Sequence, residues 1–437
     1  MKGSNGANGS LEGRSSLPAL TGAAAVWAAD LVLPVGAPPI RRGALLTDAG
    51  RVAALGPAEE LLPCVPKPFR HDFGRAILIP GLVDAHTHLE LAGLRLSPAP
   101  MADWIVALVR ETRAWSSSLF LASAKMGAAG TLAAGVTCVG DVTASGESPT
   151  AIADAGLRGV VFHEVLGLDG VQAEEILARK LASLGGAHAY RGVLPGLPGQ
   201  PAAGLSPHAP YTTSPELYRA VLEACRASGR PAATHLAESP EEARFLREGG
   251  GDFARMHSEL GSPAERFHPP GCSPVKYLDR AGALDGLRLA VHCNQTSPAE
   301  WERLRRAGVR VCLCPGSARF FGHPFADAAG MRRAGLGLCL GTDSRASNPS
   351  GSLLAEAAAL RNAGFGPEEL LRLCTLAGAE ALGLAGEGAG QLREGGAADF
   401  AVAEPPPGVA LSAEALFHPE IRIVCTVTGG EARFAAG

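Results

Sequence analysis

The strongest pattern in the chain lies between about residues 76 and 386, where short apolar runs alternate with longer stretches of helical period. Eight of the runs read as strands: ILIPGLVDAH, TCVGDV, GVVFHEVL, GLSPHAP, PAATHLAE, LRLAVHCN, VRVCLCP and GLCLGTD. Between them lie amphipathic segments such as ADWIVALVRETRAW and SPELYRAVLEACRASG, the second opened by a Ser and a Pro that suit a helix N-terminus. Strand and helix units in series pack as a parallel sheet covered by helices. Eight of them over roughly 300 residues predict an α/β fold, a distorted (β/α)8 TIM barrel.

The pattern changes at both ends. Residues 17–75 and 387–437 carry strand-like runs without a helical period, with turn signals at Asp48-Ala49-Gly50 and Gly429-Gly430. They predict one small β-sandwich built from both termini beside the 76–386 barrel. Residues 1–16 are rich in Gly, Ser and Asn and read as a disordered tail. The apolar stretch from Leu17 to Val35 lacks a clustered basic leader and is broken by Asp30 and Pro34, so it reads as a first strand and not as a signal peptide. No other apolar run is long enough for a transmembrane helix. Residues 249–274 are rich in Gly, Pro and His and too long for a plain βα loop, which predicts an insertion folding over the site as a lid.

Composition narrows the function. With 46% hydrophobic and 19% charged residues, a chain of 437 can bury a large core. A net charge of −4 offers no basic stripe, which argues against nucleic-acid or anionic-membrane partners and for a small-molecule substrate. Ten scattered cysteines sit mostly in apolar runs and read as reduced core residues of a cytoplasmic protein. Cys312 and Cys314 form a C-x-C pair, but no second pair completes a tetrahedral metal set.

In a parallel barrel the chemistry sits at the C-terminal strand ends. His86 and His88 close the first strand, His208 the fourth, His235 the fifth, His292 the sixth and Asp343 the eighth. Two His at i and i+2 share one face of a strand, so His86 and His88 can meet one ion or be two hydrogen-bonded core histidines. Further ionisable groups at other strand ends have no place in an apolar core, and a metal with imidazole and carboxylate ligands follows. Glu238, three residues past His235, is either a helix-start carboxylate or a proton carrier beside that metal, and the neighbouring ligand favours the second.

PGLVDAHTHLE, SPHAPY, THLAE, VHCN and LGTDSRASN, in this order, resemble the amidohydrolase superfamily from about Trp27 onward. The resemblance implies the composite terminal sandwich and one divalent metal, zinc ahead of iron, on His86, His88, His235 and Asp343. It implies that His292 orients the attacking hydroxide. Two-metal members carry a bridging lysine at the end of the fourth strand. Here that strand ends in Ser206-Pro207-His208, and the five lysines (2, 67, 125, 180, 276) lie elsewhere. One metal with an HxxE glutamate resembles the deaminase branch.

In that chemistry a single ion lowers the pKa of its water for attack on an aromatic C–NH2 carbon. Glu238 relays a proton to the ring nitrogen and Asp343 passes one to departing ammonia. The PCxxC zinc site of cytidine deaminases is missing, since Pro63-Cys64 is followed by Val65-Pro66. DAHTHLELAGL, ADWIVALV, GVVFHEVLG, LREGGG and SPVKYLDRAGAL further resemble the aminodeoxyfutalosine deaminases, which act on an adenine nucleoside bearing a carboxyphenyl group in menaquinone biosynthesis. S-adenosylhomocysteine and methylthioadenosine deaminases are also similar.

Relatives typically read CPRSN after the seventh strand, where this chain has Cys314-Pro315-Gly316-Ser317-Ala318-Arg319. Arg319, His323 and Arg345 stand as further candidates. His208 and Glu164 are expected to line the pocket, Glu164 being preferred over His163 by strand alternation. Glu90 either meets substrate hydroxyls or is solvated. Histidines 71, 188, 257, 268 and 418 read as structural or solvent-facing. Two other readings compete: hydrolysis of another C–N or C–Cl bond of a heterocycle, and a non-catalytic barrel protein, which would lack ligands that this chain has. A homo-oligomer is expected by analogy alone.

Overall fold

The computed structural model describes Leu20 and residues 24–186, 198–262 and 267–436. The expected tail at 1–16, His188 and part of the 249–274 insertion lie outside these residues. Strands are numbered in chain order: β1 (Ala25–Val32), β2 (Ile40–Asp48), β3 (Arg51–Pro57), β4 (Arg70–Asp72), β5 (Ile77–Pro80), β6 (Leu82–Thr87), β7 (Val136–Thr143), β8 (Arg158–Val165) and β9 (Ala202–Pro207). They continue as β10 (Ala233–Leu236), β11 (Leu289–His292), β12 (Arg310–Leu313), β13 (Leu338–Leu340), β14 (Phe400–Glu404), β15 (Arg422–Thr428) and β16 (Glu431–Ala435).

The eight runs anticipated in the middle of the chain are the staves of the barrel, a distorted TIM barrel. β6 to β9 form one parallel ladder and β10 to β13 a second. Single bridges close the ring, Leu205 with Ala232 on one side and Thr87 with Asp343 on the other. The second closure brings the first and eighth strands together where the sequence placed its polar residues.

One predicted strand divides. The run ILIPGLVDAH breaks at Gly81 into β5, which pairs antiparallel with β14, and β6, which opens the barrel. A Cβ at Gly81 would fall 2.0 Å from Thr137 Oγ1, so the crossing needs glycine.

The terminal strands make one curled sheet in the order β16-β15-β14-β5-β1-β2-β3, with β4 beside β1. Its edge strand β3 meets the segment leading into β14 where Val52 N–H donates to Gly396 O at 3.0 Å, and the sheet encloses Trp27, Leu45, Leu78, Phe400 and Val427 as a small sandwich does. The β2–β3 turn runs through Ala49 (φ 47°) and Gly50 (φ 75°), the two positive angles of a tight hairpin turn.

Helices follow their sequence signals. Pro215–Ser228 is capped by Ser214, whose Oγ accepts Leu217 N–H, and ends on Gly229 at φ 69°. The helix Met101–Thr112 packs across the insertion helix Asp252–Leu260 through Met101, Val106, Phe253 and Met256, with Arg255–Asp103 (2.6 Å) and Arg110–Glu259 (3.1 Å) at the surface. No helix among the described residues is long and apolar enough to cross a membrane.

Candidate metal centre and active site

His86 lies inside β6 and His88 just past its end, so both rings project to the same side. Asp343 Oδ1 sits 3.5 Å from His86 Nε2 and 3.6 Å from His88 Nε2, and His88 Nε2 is 3.3 Å from His235 Nε2. Two residues at these strand ends adopt left-handed angles, His292 (φ 73°) and Asp343 (φ 59°). Such angles cost on the order of 1–2 kcal/mol in a residue with a Cβ and persist where neighbours enforce them. At Asp343 the enforcers are its own N–H, which donates to His86 O at 2.9 Å, and Thr87 Oγ1, which donates to Asp343 O at 3.2 Å.

The rings are held from behind. His235 Nδ1 donates to His208 O at 2.9 Å, which leaves Nε2 as the free lone pair. Asp84, beneath the site, accepts from the N–H groups of His86 and Thr342, and Ser347 Oγ donates to Asp343 Oδ2 at 3.2 Å. Burial, reinforced by neighbouring imidazoles, drives His88 well below the usual imidazole range and lowers His235 to about 4. For Asp343 burial opposes the charge, but the surrounding His86, His292 and His88 outweigh it and hold the carboxyl well below its usual range. Imidazole nitrogens with one carboxylate are a donor set for a divalent ion. His86 Nε2 is buried and has no hydrogen-bond partner among the described residues, which an ion at this place would satisfy.

Glu238 Oε1 is 3.6 Å from His292 Nε2, and donor atoms of Glu238, His292 and Asp343 all lie within 4.8 Å of one another. Burial pushes the Glu238 carboxyl well above its usual range, with the charges of Asp343, Glu242 and Glu241 adding to it. The same burial favours the neutral, proton-carrying form of this carboxyl. Burial also lowers His292 well below the imidazole range, so that ring accepts more readily than it charges.

These groups form the floor of a cavity of about 600 Å³. Its walls are mostly apolar and include Trp104, Leu108, Phe120, Leu166, Ile176 and Phe321, with Met256 and Leu260 of the insertion helix. Glu164 lines it, pushed up to about 7 by burial and then by Glu90, and its Oε1 is 3.7 Å from His208 Nε2. His208 Nδ1 pairs with Thr212 Oγ1 at 2.7 Å.

The structure also places the remaining candidates. Glu90 is buried and not solvated; it lines the cavity, and its oxygens accept from Thr143 Oγ1 (2.6 Å), Ala144 N–H (2.8 Å) and Ser145 N–H (3.3 Å), clamping the turn after β7. Of the two roles expected for it, structural or solvent-facing, His257 takes the first. It lines the cavity and its Nε2 donates to Tyr211 O at 2.8 Å, because the insertion folds inward as a helix. Arg319, His323 and Arg345 are absent from the described lining. At Gly316 a Cβ would fall 2.3 Å from Glu356 Oε1 and 2.5 Å from Asn348 Nδ2, so the bare position makes room for a buried carboxylate. Asp84, Glu242 and Ser347 went unnoticed in the sequence. A carboxylate inside the apolar run LVDAH was a signal for Asp84, whereas nothing local marked the other two.

Residues 77–432 match the model of the Amidohydrolase family. The chain is 31% identical over 351 residues to an aminodeoxyfutalosine deaminase of Deinococcus radiodurans, covering 78% of this chain and 81% of that protein. It is 26% identical over 414 residues to a 5-methylthioadenosine/S-adenosylhomocysteine deaminase of Nitratidesulfovibrio vulgaris, covering 91% and 86%. Its fold resembles the crystal structure of an adenosine deaminase from Xanthomonas campestris with bound zinc, with a TM-score of 0.75, 22% identity and coverage of 93% and 92%.

Proposed function

Since this chain belongs to the amidohydrolase family, we propose that it is a hydrolytic deaminase of adenine nucleosides, with aminodeoxyfutalosine as its substrate and one zinc ion on His86, His88, His235 and Asp343. The observation that carries the reading is the placement of Glu238, a buried carboxyl 3.6 Å from His292 and beside the metal donor set in a single cavity. A divalent ion bound there would supply Lewis acidity and make water nucleophilic near neutral pH.

The remaining steps belong to the chain. Glu238 gives its proton to a ring nitrogen of the base as the amine-bearing carbon is attacked. His292 Nε2, 3.6 Å from Glu238, holds the attacking oxygen in line. Asp343 takes a proton from that oxygen and delivers it to the leaving amine. Glu164, His208 and Thr212 orient the nucleoside, and the apolar wall excludes water and receives a bulky substituent on the sugar.

Zinc is supported by the zinc-bound relative that shares this fold along 93% of the chain. The substrate is supported by the 31% identity to the Deinococcus enzyme. A reducing, cytoplasmic setting agrees with ten free cysteines, nine of them buried. Ammonia release from a panel of adenine nucleosides, aminodeoxyfutalosine included, tests the proposal. No ammonia from any member, or chloride released from a chlorotriazine in its place, would refute it.

A further inference from the structure

The turn that carries Glu238 is held by groups that never reach the cavity. Ala237, immediately before Glu238, sits in the left-handed region at φ 51°, an angle that alanine adopts only under constraint. Glu242, four residues on, turns its carboxylate back under this turn. Its Oε1 accepts Ala237 N–H at 3.1 Å and its Oε2 accepts Glu238 N–H at 2.7 Å. On the opposite side Gln295 N–H donates to Ala237 O at 2.8 Å and Asn294 Nδ2 donates to Glu238 O at 3.0 Å. The peptide groups are therefore clamped from both faces, and in this turn the Glu238 side chain is the part that enters the cavity.

An ordinary helix-start carboxylate would bond the N-cap N–H of its own helix. Ser239 is the N-cap of the helix Pro240–Glu248, and its Oγ accepts Glu242 N–H at 3.1 Å. The Glu242 carboxylate meets the Ser239 N–H as such a residue does, and in addition it accepts from the two residues preceding that cap. Glu242 is buried to 1% exposure and is not among the residues that line the cavity, so any effect on the reaction passes through Glu238. We infer that Glu242 is a positioning residue for the proton carrier: its two convergent hydrogen bonds enforce the strained Ala237 turn and so aim the Glu238 carboxyl at His292.

This inference rests on the deaminase reading, and the test separates the two. Zinc-loaded wild type, Glu242→Gln, Glu238→Gln and the double variant are compared on aminodeoxyfutalosine. In Glu242→Gln the amide replaces one acceptor by a donor that faces a backbone N–H, so one of the two bonds is lost. Displacing a reacting group by about 1 Å costs on the order of 100-fold, so kcat is expected to fall about 10- to 100-fold while KM stays within about twofold and metal content is unchanged. The decisive readout is the cycle. If Glu242 acts through Glu238, adding Glu242→Gln to Glu238→Gln removes no further turnover. An equal loss in both backgrounds, or wild-type kcat in Glu242→Gln, overturns the inference.

A crystal structure of zinc-bound Glu242→Gln gives a second measurement that needs no substrate and stands even if no nucleoside is turned over. The Ala237–Glu238 peptide is expected to leave its left-handed turn while the four metal ligands stay in place. A Glu238 carboxyl found within about 0.5 Å of its wild-type position would refute the positioning role whatever the reaction proves to be.

Discussion

His235 presents Nε2 to the site because its Nδ1–H is committed to the carbonyl of His208, 2.9 Å away across adjacent strands. One hydrogen bond fixes both the tautomer and the tilt of the ring, and it places that nitrogen 3.3 Å from His88 Nε2. Two imidazole nitrogens so close together repel unless a proton or an ion lies between them or beside them. Purified protein should contain about one equivalent of zinc by elemental analysis, and His235→Ala should lose it while its circular dichroism is unchanged. Two equivalents in the wild type would contradict a single-ion site.

Glu238→Gln keeps the size of the side chain and removes its proton. Metal content and melting temperature should be those of the wild type, and kcat for ammonia release should fall about 100- to 10,000-fold. A fully active Glu238→Gln would dismiss Glu238 as the proton carrier.

Leu166 is 46% exposed yet lines the cavity, so it can be shortened without opening the core. Removing a contact worth about 1 kcal/mol from the apolar wall should raise KM for aminodeoxyfutalosine by roughly fivefold to tenfold in Leu166→Ala. For adenosine, whose sugar carries no bulky group, KM should change by less than about twofold. Equal changes for both substrates would place the substituent elsewhere.

Glu356 lies beneath the site, accepting Gly316 N–H at 2.6 Å and Asn348 Nδ2–H at 2.8 Å. Burial pushes its carboxyl from 4.5 up to about 7. The folded state thus holds this proton more tightly than the unfolded chain does. Stability from this group is present in full below pH 4.5 and is lost as pH rises through 7, by up to about 3 kcal/mol. Urea unfolding of the wild type between pH 5 and 8 should show a fall that is weaker in Glu356→Gln. Parallel curves for the two proteins would remove Glu356 from the pH dependence.

Much of this was legible in the chain because period and strand ends are local properties. Eight apolar runs separated by amphipathic stretches sufficed for the barrel, and the polar residues closing those runs sufficed to mark His86, His88, His235, His292 and Asp343 as a group. Spacing of two in a strand and of three across a strand end translates directly into which side chains can meet.

What the sequence by itself determined, then, is which residues face the C-terminal mouth of the barrel, since alternation and strand order depend only on neighbours along the chain. Tertiary structure alone decided how those residues are used. Glu90 became a clamp because the turn after β7 brings four donor groups of Thr143, Ala144 and Ser145 to it, and His257 entered the cavity because the insertion helix packs against Met101–Thr112. The break at Gly81 likewise depends on Thr137, 56 residues later, approaching too closely for any Cβ. The physical reason is common to all three: hydrogen bonding and steric exclusion act between atoms that meet only after the chain has closed on itself, and no local pattern records their distance.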